Sequence, residues 1–161
     1  MEPVREDKGA APAPQADVGE GLGDYLVFEI EDARYALPVA SVHEVLPALE
    51  VDVLPGAGED LLGVITLRGR MVPVLDTRKR LGADARAVDV HDHFVVAEAS
   101  GRLIVLPCDR VQGIASLARN EDAEAEDLVR AGGRIARVVR DADGLVLVPD
   151  LTGALPEADA A

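Results

Sequence analysis

The second half of the chain repeats the pattern of the first. YLVFEIEDARYALPVASVHEV, residues 25–45, aligns with HFVVAEASGRLIVLPCDRVQGI, residues 93–114, and RMVPVLDTRKRL, residues 70–81, aligns with GLVLVPDLTGAL, residues 144–155. The offset is 68 between Arg34 and Arg102 and 74 at the later segments. A period this long indicates duplication of a small module, because solenoid repeats are shorter.

Alternation of apolar and polar residues predicts that each module is built mainly of strands. In the first module it predicts strands over 25–30, 34–39, 61–67 and 70–75. The spacing of Val42, Val45 and Leu46 predicts a short helix between the two hairpins. The chain is therefore predicted to be all-β, with two sheets of about five strands, and closing each into a barrel would remove its exposed edges.

The composition agrees with a β fold. The 161 residues are 48% hydrophobic but only 2% aromatic, without tryptophan, so the core must be built from valine, leucine, isoleucine and alanine. Valine-rich runs favour strands, since β-branched side chains suit a pleated surface. The length allows one compact domain or two very small ones.

The net charge and the cysteine content narrow the range of possible partners and cell compartments. A formal net charge of −14 argues against nucleic acid as a partner, since phosphate binding requires a cationic face. The single cysteine, Cys108, excludes an internal disulfide and suits a reducing compartment. We expect a soluble cytoplasmic protein, because the sequence shows neither a signal peptide nor an apolar run long enough to span a membrane.

Two segments stand apart from the modules. Residues 1–23 are rich in proline, alanine, glycine and charge, which predicts a disordered tail. Residues 120–134 carry five acids within Glu121–Asp127, which we interpret as a solvated loop or short exposed helix. The run lacks the alternating acids and central glycine of a calcium loop.

The sequence contains little evidence of a catalytic site. Cys108 aligns with Val39 of the first half, which favours a small buried filler over a nucleophile. His91 and His93 form an HxH pair, but no third metal ligand can be proposed from sequence. The chain has no phosphate-binding glycine loop and no catalytic serine motif, so we predict no cofactor, no metal and no enzymatic activity.

The stretch GVITLRGRMVPVLDTRKRLG, residues 63–82, is the most unusual in this acidic chain. It holds five of the sixteen lysine and arginine residues, in an Arg68-Gly69-Arg70 turn and the run at 78–80. The equivalent turn of the second half, around Asp141–Gly144, is acidic. A guanidinium on a rigid hairpin can bind a partner's carboxylate, although a solubilising turn would also explain the charge.

LLGVITLRGRMVPVLDTRKRLG, residues 61–82, resembles the signature of the CheW-like family of chemotaxis coupling proteins, G-V-x-N-L-R-G-x-x-[VI]-P-[VI]-[VI]-D-L-R-x-x-[FL]. The opening strand pair with its V-x-E-[VI] segment, and RLIVLPCDRVQGI at 102–114, resemble other parts of the same family. The similarity covers about residues 24–156.

The resemblance implies two pseudo-symmetric five-stranded SH3-like β-barrels with short helices. The first barrel would lie mainly at 34–90 and the second mainly at 93–150, with strands exchanged between the halves and a tail at 157–161. It implies a non-enzymatic adaptor that couples the cytoplasmic tips of methyl-accepting chemoreceptors to the regulatory domain of a CheA-type histidine kinase in a receptor array. The positions that match the family's partner-binding motifs are Val42, Glu44, Val45, Gly63, Arg68 and Gly69.

The sequence leaves alternatives open. Glu44 and Arg68 could pair with each other or each with a partner. Thr66 and Thr77 depart from the family pattern. A divergent member could serve a non-flagellar pathway, such as surface motility or development, or bind receptors without a kinase. The alternative from another class is a metal- or thiol-dependent enzyme using Cys108, His91 and His93.

Overall fold

A computed structural model of the chain describes residues 22–56, 58–119 and 134–155. Three segments for which the sequence makes predictions lie outside these ranges. They are residues 1–21 of the predicted disordered tail, most of the acidic segment at 120–134, and the tail at 157–161. The last two residues of the predicted N-terminal tail, Leu22 and Gly23, belong to the first strand.

The described residues form ten strands, one α-helix and one 3-10 turn. The strands are β1 (Leu22–Ile30), β2 (Ala33–Pro38), β3 (Val42–Pro47), β4 (Leu61–Leu67), β5 (Arg70–Leu75), β6 (His93–Ala99), β7 (Arg102–Cys108), β8 (Arg110–Arg119), β9 (Ile135–Asp141) and β10 (Gly144–Pro149). The α-helix is α1 (Thr77–Leu81), and the 3-10 turn is Val39–Ser41.

The strands form two five-stranded sheets, as expected for two small β subdomains. Barrel A has the order β1-β2-β10-β9-β8 and is closed by the pairing of β8 with β1. Sheet B has the order β3-β6-β7-β5-β4, so that β3 and β4 are its edges. The all-β class and the two five-stranded units are therefore confirmed.

Each sheet contains strands from both halves of the chain. Barrel A combines β1 and β2 with β8–β10, whereas sheet B combines β6 and β7 with β3–β5. Strands five apart in sequence occupy equivalent places, and each sheet contains one parallel pair, β2–β10 or β7–β5. The duplication is thus visible in the topology.

The strand registers correct one detail of the sequence alignment. Ala33 pairs with Ile30 in the first hairpin, and Arg102 pairs with Ala99 in the equivalent hairpin of the second half. Arg102 therefore corresponds to Ala33, at an offset of 102 − 33 = 69, and its alignment with Arg34 is wrong by one residue.

The predicted helix at 42–46 is also wrong. Val42–Pro47 is a strand, and the helical geometry is confined to the 3-10 turn Val39–Ser41 before it. Along the strand, burial alternates residue by residue, with Val42 and Leu46 partly buried and His43 exposed. Pairing with β6 determines the local structure. Val42 and Leu46 fit the two-residue period of a strand, whereas Val45 faces the other way.

The secondary structure predicted for residues 61–82 is confirmed. The two strands have the predicted bounds, Leu61–Leu67 and Arg70–Leu75. The Asp76 side chain accepts a hydrogen bond from the Lys79 amide at 3.2 Å and caps α1, which ends at Gly82.

Three apolar clusters fill the molecule. The largest joins the two sheets and includes Phe28, Leu37, Leu75, Val95 and Leu106. A second cluster lies in barrel A and a third in sheet B. Because the largest cluster takes side chains from both sheets, the two subdomains share one hydrophobic interface.

Candidate functional site

The hairpin between β4 and β5 presents Arg68 at its tip. Leu67 pairs with Arg70, so the loop has two residues, Arg68 and Gly69. Their φ angles are 50° and 82°, the signs of a type I′ turn, which matches the twist of the flanking strands. The Arg68 side chain is 67% exposed, so the tip is both rigid and accessible.

Arg68 forms a bidentate ion pair with Glu44 of β3. Its Nη1 donates to Glu44 Oε2 at 2.5 Å, and its Nη2 donates to Oε1 at 2.8 Å. These hydrogen bonds lower the pKa of Glu44 and raise the pKa of Arg68. The structure thus resolves one alternative left open by the sequence, since the two charges pair with each other.

The pair joins the two edges of sheet B. Glu44 lies on β3 and Arg68 follows β4, strands that are not neighbours in the sheet. The segment after β3 meets β4 at a backbone bridge between Asp52 and Val64, with hydrogen bonds of 2.8 and 2.9 Å. The ion pair therefore fixes the hairpin tip against β3 where backbone pairing is missing.

The other predicted site residues differ in exposure. Val45 is 36% exposed beside Glu44, whereas Val42 is partly buried against the shared core. Gly63 is buried, and a Cβ there would lie 2.2 Å from the carbonyl oxygen of Asp52. Glu44, Val45, Arg68 and the Gly69 backbone can therefore contact a partner, while Val42 and Gly63 support them from within.

Sequence reasoning missed the neighbouring cleft on sheet B. This cleft of about 430 Å³ is lined by His43, Arg70, Met71, Glu98 and Arg102, among others. Met71 is 63% exposed, and His43 Nε2 lies 3.6 Å from Glu98 Oε1. The alternation in β5, where Val72 and Val74 are buried, was the signal that Met71 faces outward.

The basic run at 78–80 is largely structural. Arg78 donates to Asp109 at 2.6 Å and to Glu31 at 3.1 Å, and its side chain is only 12% exposed. Arg80 is buried and donates to two backbone carbonyl groups near the C-terminal end of the described chain. The concentration of charge in this stretch therefore serves internal contacts as well as the exposed Arg68.

The three residues of the enzyme alternative, Cys108, His91 and His93, lie in different surroundings. Cys108 is buried opposite His93 in the β6–β7 pair, and burial raises the pKa of its thiol to about 12. His91 lies in an exposed turn. Within residues 22–56, 58–119 and 134–155, no three histidine, cysteine or acidic residues are grouped so as to hold a metal ion, and no helix could cross a membrane.

Residues 24–159 match the family model of the CheW-like domain. The chain belongs to the CheW-like family. The chemotaxis protein CheW of Rhizobium meliloti is 27% identical over 108 residues, which cover 67% of this chain and 70% of that protein. The chemotaxis protein CheW of Bacillus subtilis is 24% identical over 144 residues, with coverage of 82% and 92%.

The CheW-like fold is also found in a solved structure. The scaffolding protein TtCheW of Thermoanaerobacter tengcongensis superimposes with a TM-score of 0.68 at 22% sequence identity, covering 80% of this chain and 89% of that one. The family resemblance inferred from residues 61–82 is confirmed, and this CheW-like chain is a member of a family of chemotaxis scaffold proteins.

Proposed function

We propose that this chain couples the cytoplasmic tips of methyl-accepting chemoreceptors to the regulatory domain of a CheA-type histidine kinase. It would do so in the cytoplasm, within a receptor array, by binding alone. The CheW-like family and its chemotaxis relatives support this role. The observation that carries it is the exposed Arg68–Glu44 pair on a rigid hairpin, at positions that match the family's motifs.

The ion pair leaves Arg68 able to bind a second carboxylate. A guanidinium has five N–H donors, and the two hydrogen bonds to Glu44 use two of them. Glu44 holds the group in one orientation, so less side-chain entropy is lost when a partner binds.

The test is calorimetric titration of the full chain with two fragments encoded in the same genome, a receptor cytoplasmic fragment and a kinase regulatory domain. We expect the wild type to bind both, and Arg68→Ala and Glu44→Ala each to weaken at least one interaction by about tenfold. Arg140→Ala, which removes an exposed arginine from β9 of barrel A, is the matched control.

The outcomes separate the candidate roles. Full binding of both fragments by both site variants would exclude Glu44 and Arg68 as the contact. Binding to the receptor fragment without any to a kinase would instead favour a member that occupies receptor tips alone. Binding to neither fragment would contradict the coupling role.

A further inference from the structure

A second accessible surface lies on sheet B, in a groove between the segment after β3 and the connector that precedes β6. The groove has a volume of about 610 Å³. Its apolar lining includes Leu49, Val51, Val53, Leu62, Val88 and Val90. We call it the 48–53/86–90 groove after its two walls.

The walls of this groove, with Leu54 directly after the first wall, carry several exposed apolar side chains. Val90 is 82% exposed and Val53 76%, with Leu49 and Leu54 also exposed. These are four of the nine large hydrophobic side chains exposed among the described residues. Contiguous exposed apolar surface of this kind is typical of an interaction site.

The groove is preformed by buried polar contacts. The Asp92 side chain is buried and accepts hydrogen bonds from Arg86, at 2.8 and 3.0 Å, and from the Asp89 amide at 2.9 Å. The Asp92 carbonyl accepts from the Ala48 amide at 3.1 Å, which ties one wall to the other. Little conformational entropy would therefore be lost in ordering these walls when a partner binds.

The charges around the groove are acidic. Glu50 and Asp89 line it, and Asp52 is exposed on the same wall. Arg86 is the one cation of the lining, and both Asp92 and Asp109 already bind it, at 2.8 and 2.7 Å. The rim therefore attracts cationic groups and repels acidic ones.

We propose that the 48–53/86–90 groove binds a partner segment that presents apolar side chains flanked by lysine or arginine. An amphipathic helix has this chemistry and commonly docks into apolar grooves. A second copy of this chain is disfavoured as the occupant, since its net charge is −14 and the rim is acidic. This contact lies on different residues from the Arg68–Glu44 pair and does not depend on the proposed coupling role.

The test uses a synthetic amphipathic helix of about five turns made of leucine and lysine, with a leucine–glutamate twin of the same pattern. Each peptide is titrated into the full ¹⁵N-labelled chain at physiological ionic strength. We expect the lysine peptide to shift the amide signals of residues 48–54 and 86–92 and the glutamate peptide to leave them unchanged. Val90→Asn, which removes the apolar contact without adding a charge, should weaken binding of the lysine peptide by about tenfold.

Two controls make the result specific. Leu145→Asn changes an exposed leucine of barrel A and should bind the lysine peptide like the wild type. Arg68→Ala should also bind it normally. Equal binding of the two peptides, shifts spread over the whole acidic surface, or unchanged binding by Val90→Asn would overturn the proposal. So would self-association in sedimentation equilibrium that Val90→Asn abolishes, because the occupant would then be a second copy.

Discussion

Arg80 Nε donates a hydrogen bond of 3.0 Å to the backbone carbonyl oxygen of Asp150, 70 residues further along the chain. Its Nη2 donates to the carbonyl oxygen of Thr152 at 2.6 Å. These two hydrogen bonds connect α1, at the end of the first half of the chain, to the segment that follows β10 at the end of the second half. Burial lowers the pKa of Arg80.

Arg80→Ala should lower the free energy of unfolding by about 2–4 kcal/mol, because it removes a buried side chain and its two hydrogen bonds to the carbonyl groups of Asp150 and Thr152. Urea denaturation followed by far-ultraviolet circular dichroism measures this. Lys79→Ala, on the exposed side of the same helix, should change the value by less than about 0.5 kcal/mol. Equal effects of the two variants would show that the Arg80 contacts do not stabilise the fold.

The parts of the fold that sequence could predict depend on local signals. The strands Leu61–Leu67 and Arg70–Leu75 are separated by a turn that needs positive φ, and Asp76 caps the helix that follows. Each signal lies within a few residues of the structure it determines. The sequence repeat also predicted that the two halves contain the same succession of strands. The equivalent strand orders of the two sheets confirm this prediction.

The parts that sequence could not predict depend on distant contacts. The spacing of Val42 and Leu46 fits either a helical turn or a strand, and only the pairing with β6 decides between them. Arg78 and Arg80 have partners 31 to 72 residues away, so their internal roles are invisible in a local basic run. The pairing of Glu44 with Arg68 was one of two alternatives for the same reason.

The Arg34–Asp141 ion pair should make stability depend on acid pH. Arg34 donates two hydrogen bonds of 2.8 Å to the carboxylate, and they lower the pKa of Asp141 from 3.8 to about 2. Because the folded pKa is the lower one, the stabilising contribution is complete above the unfolded pKa and is lost as pH falls through about 2.

Asp141→Asn lacks this titration. The difference in unfolding free energy between wild type and Asp141→Asn should therefore shrink as pH falls from about 4 to about 2. Urea denaturation at a series of pH values gives the difference directly. Asp32→Asn, in the exposed turn between β1 and β2, is the control for loss of one carboxylate. A difference for Asp141→Asn that stays constant with pH would contradict the assignment.

The Cys108 thiol should be unreactive in the folded protein. It is buried, and burial raises its pKa to about 12, so little thiolate forms near pH 8. We expect labelling by a thiol-specific disulfide reagent to be slow without denaturant and complete in concentrated urea. The labelling rate then reports opening of the β6–β7 region, and rapid labelling of the native protein would show that this thiol is accessible after all.

Gly63 and Gly69 should respond differently to the same substitution. Both have positive φ, 154° and 82°, so alanine adds backbone strain of about 1–2 kcal/mol at either position. At Gly63 the new Cβ would also lie 2.2 Å from the Asp52 carbonyl oxygen, whereas at Gly69 nothing lies within 4 Å. Gly63→Ala must therefore displace the segment around Asp52 that pairs with β4, at a further cost of about 1–3 kcal/mol. Urea denaturation should rank Gly63→Ala as clearly less stable than Gly69→Ala, and amide shifts in residues 51–54 should accompany only the former. Equal stabilities would mean that this segment moves without cost and that Gly63 is not required for its close approach.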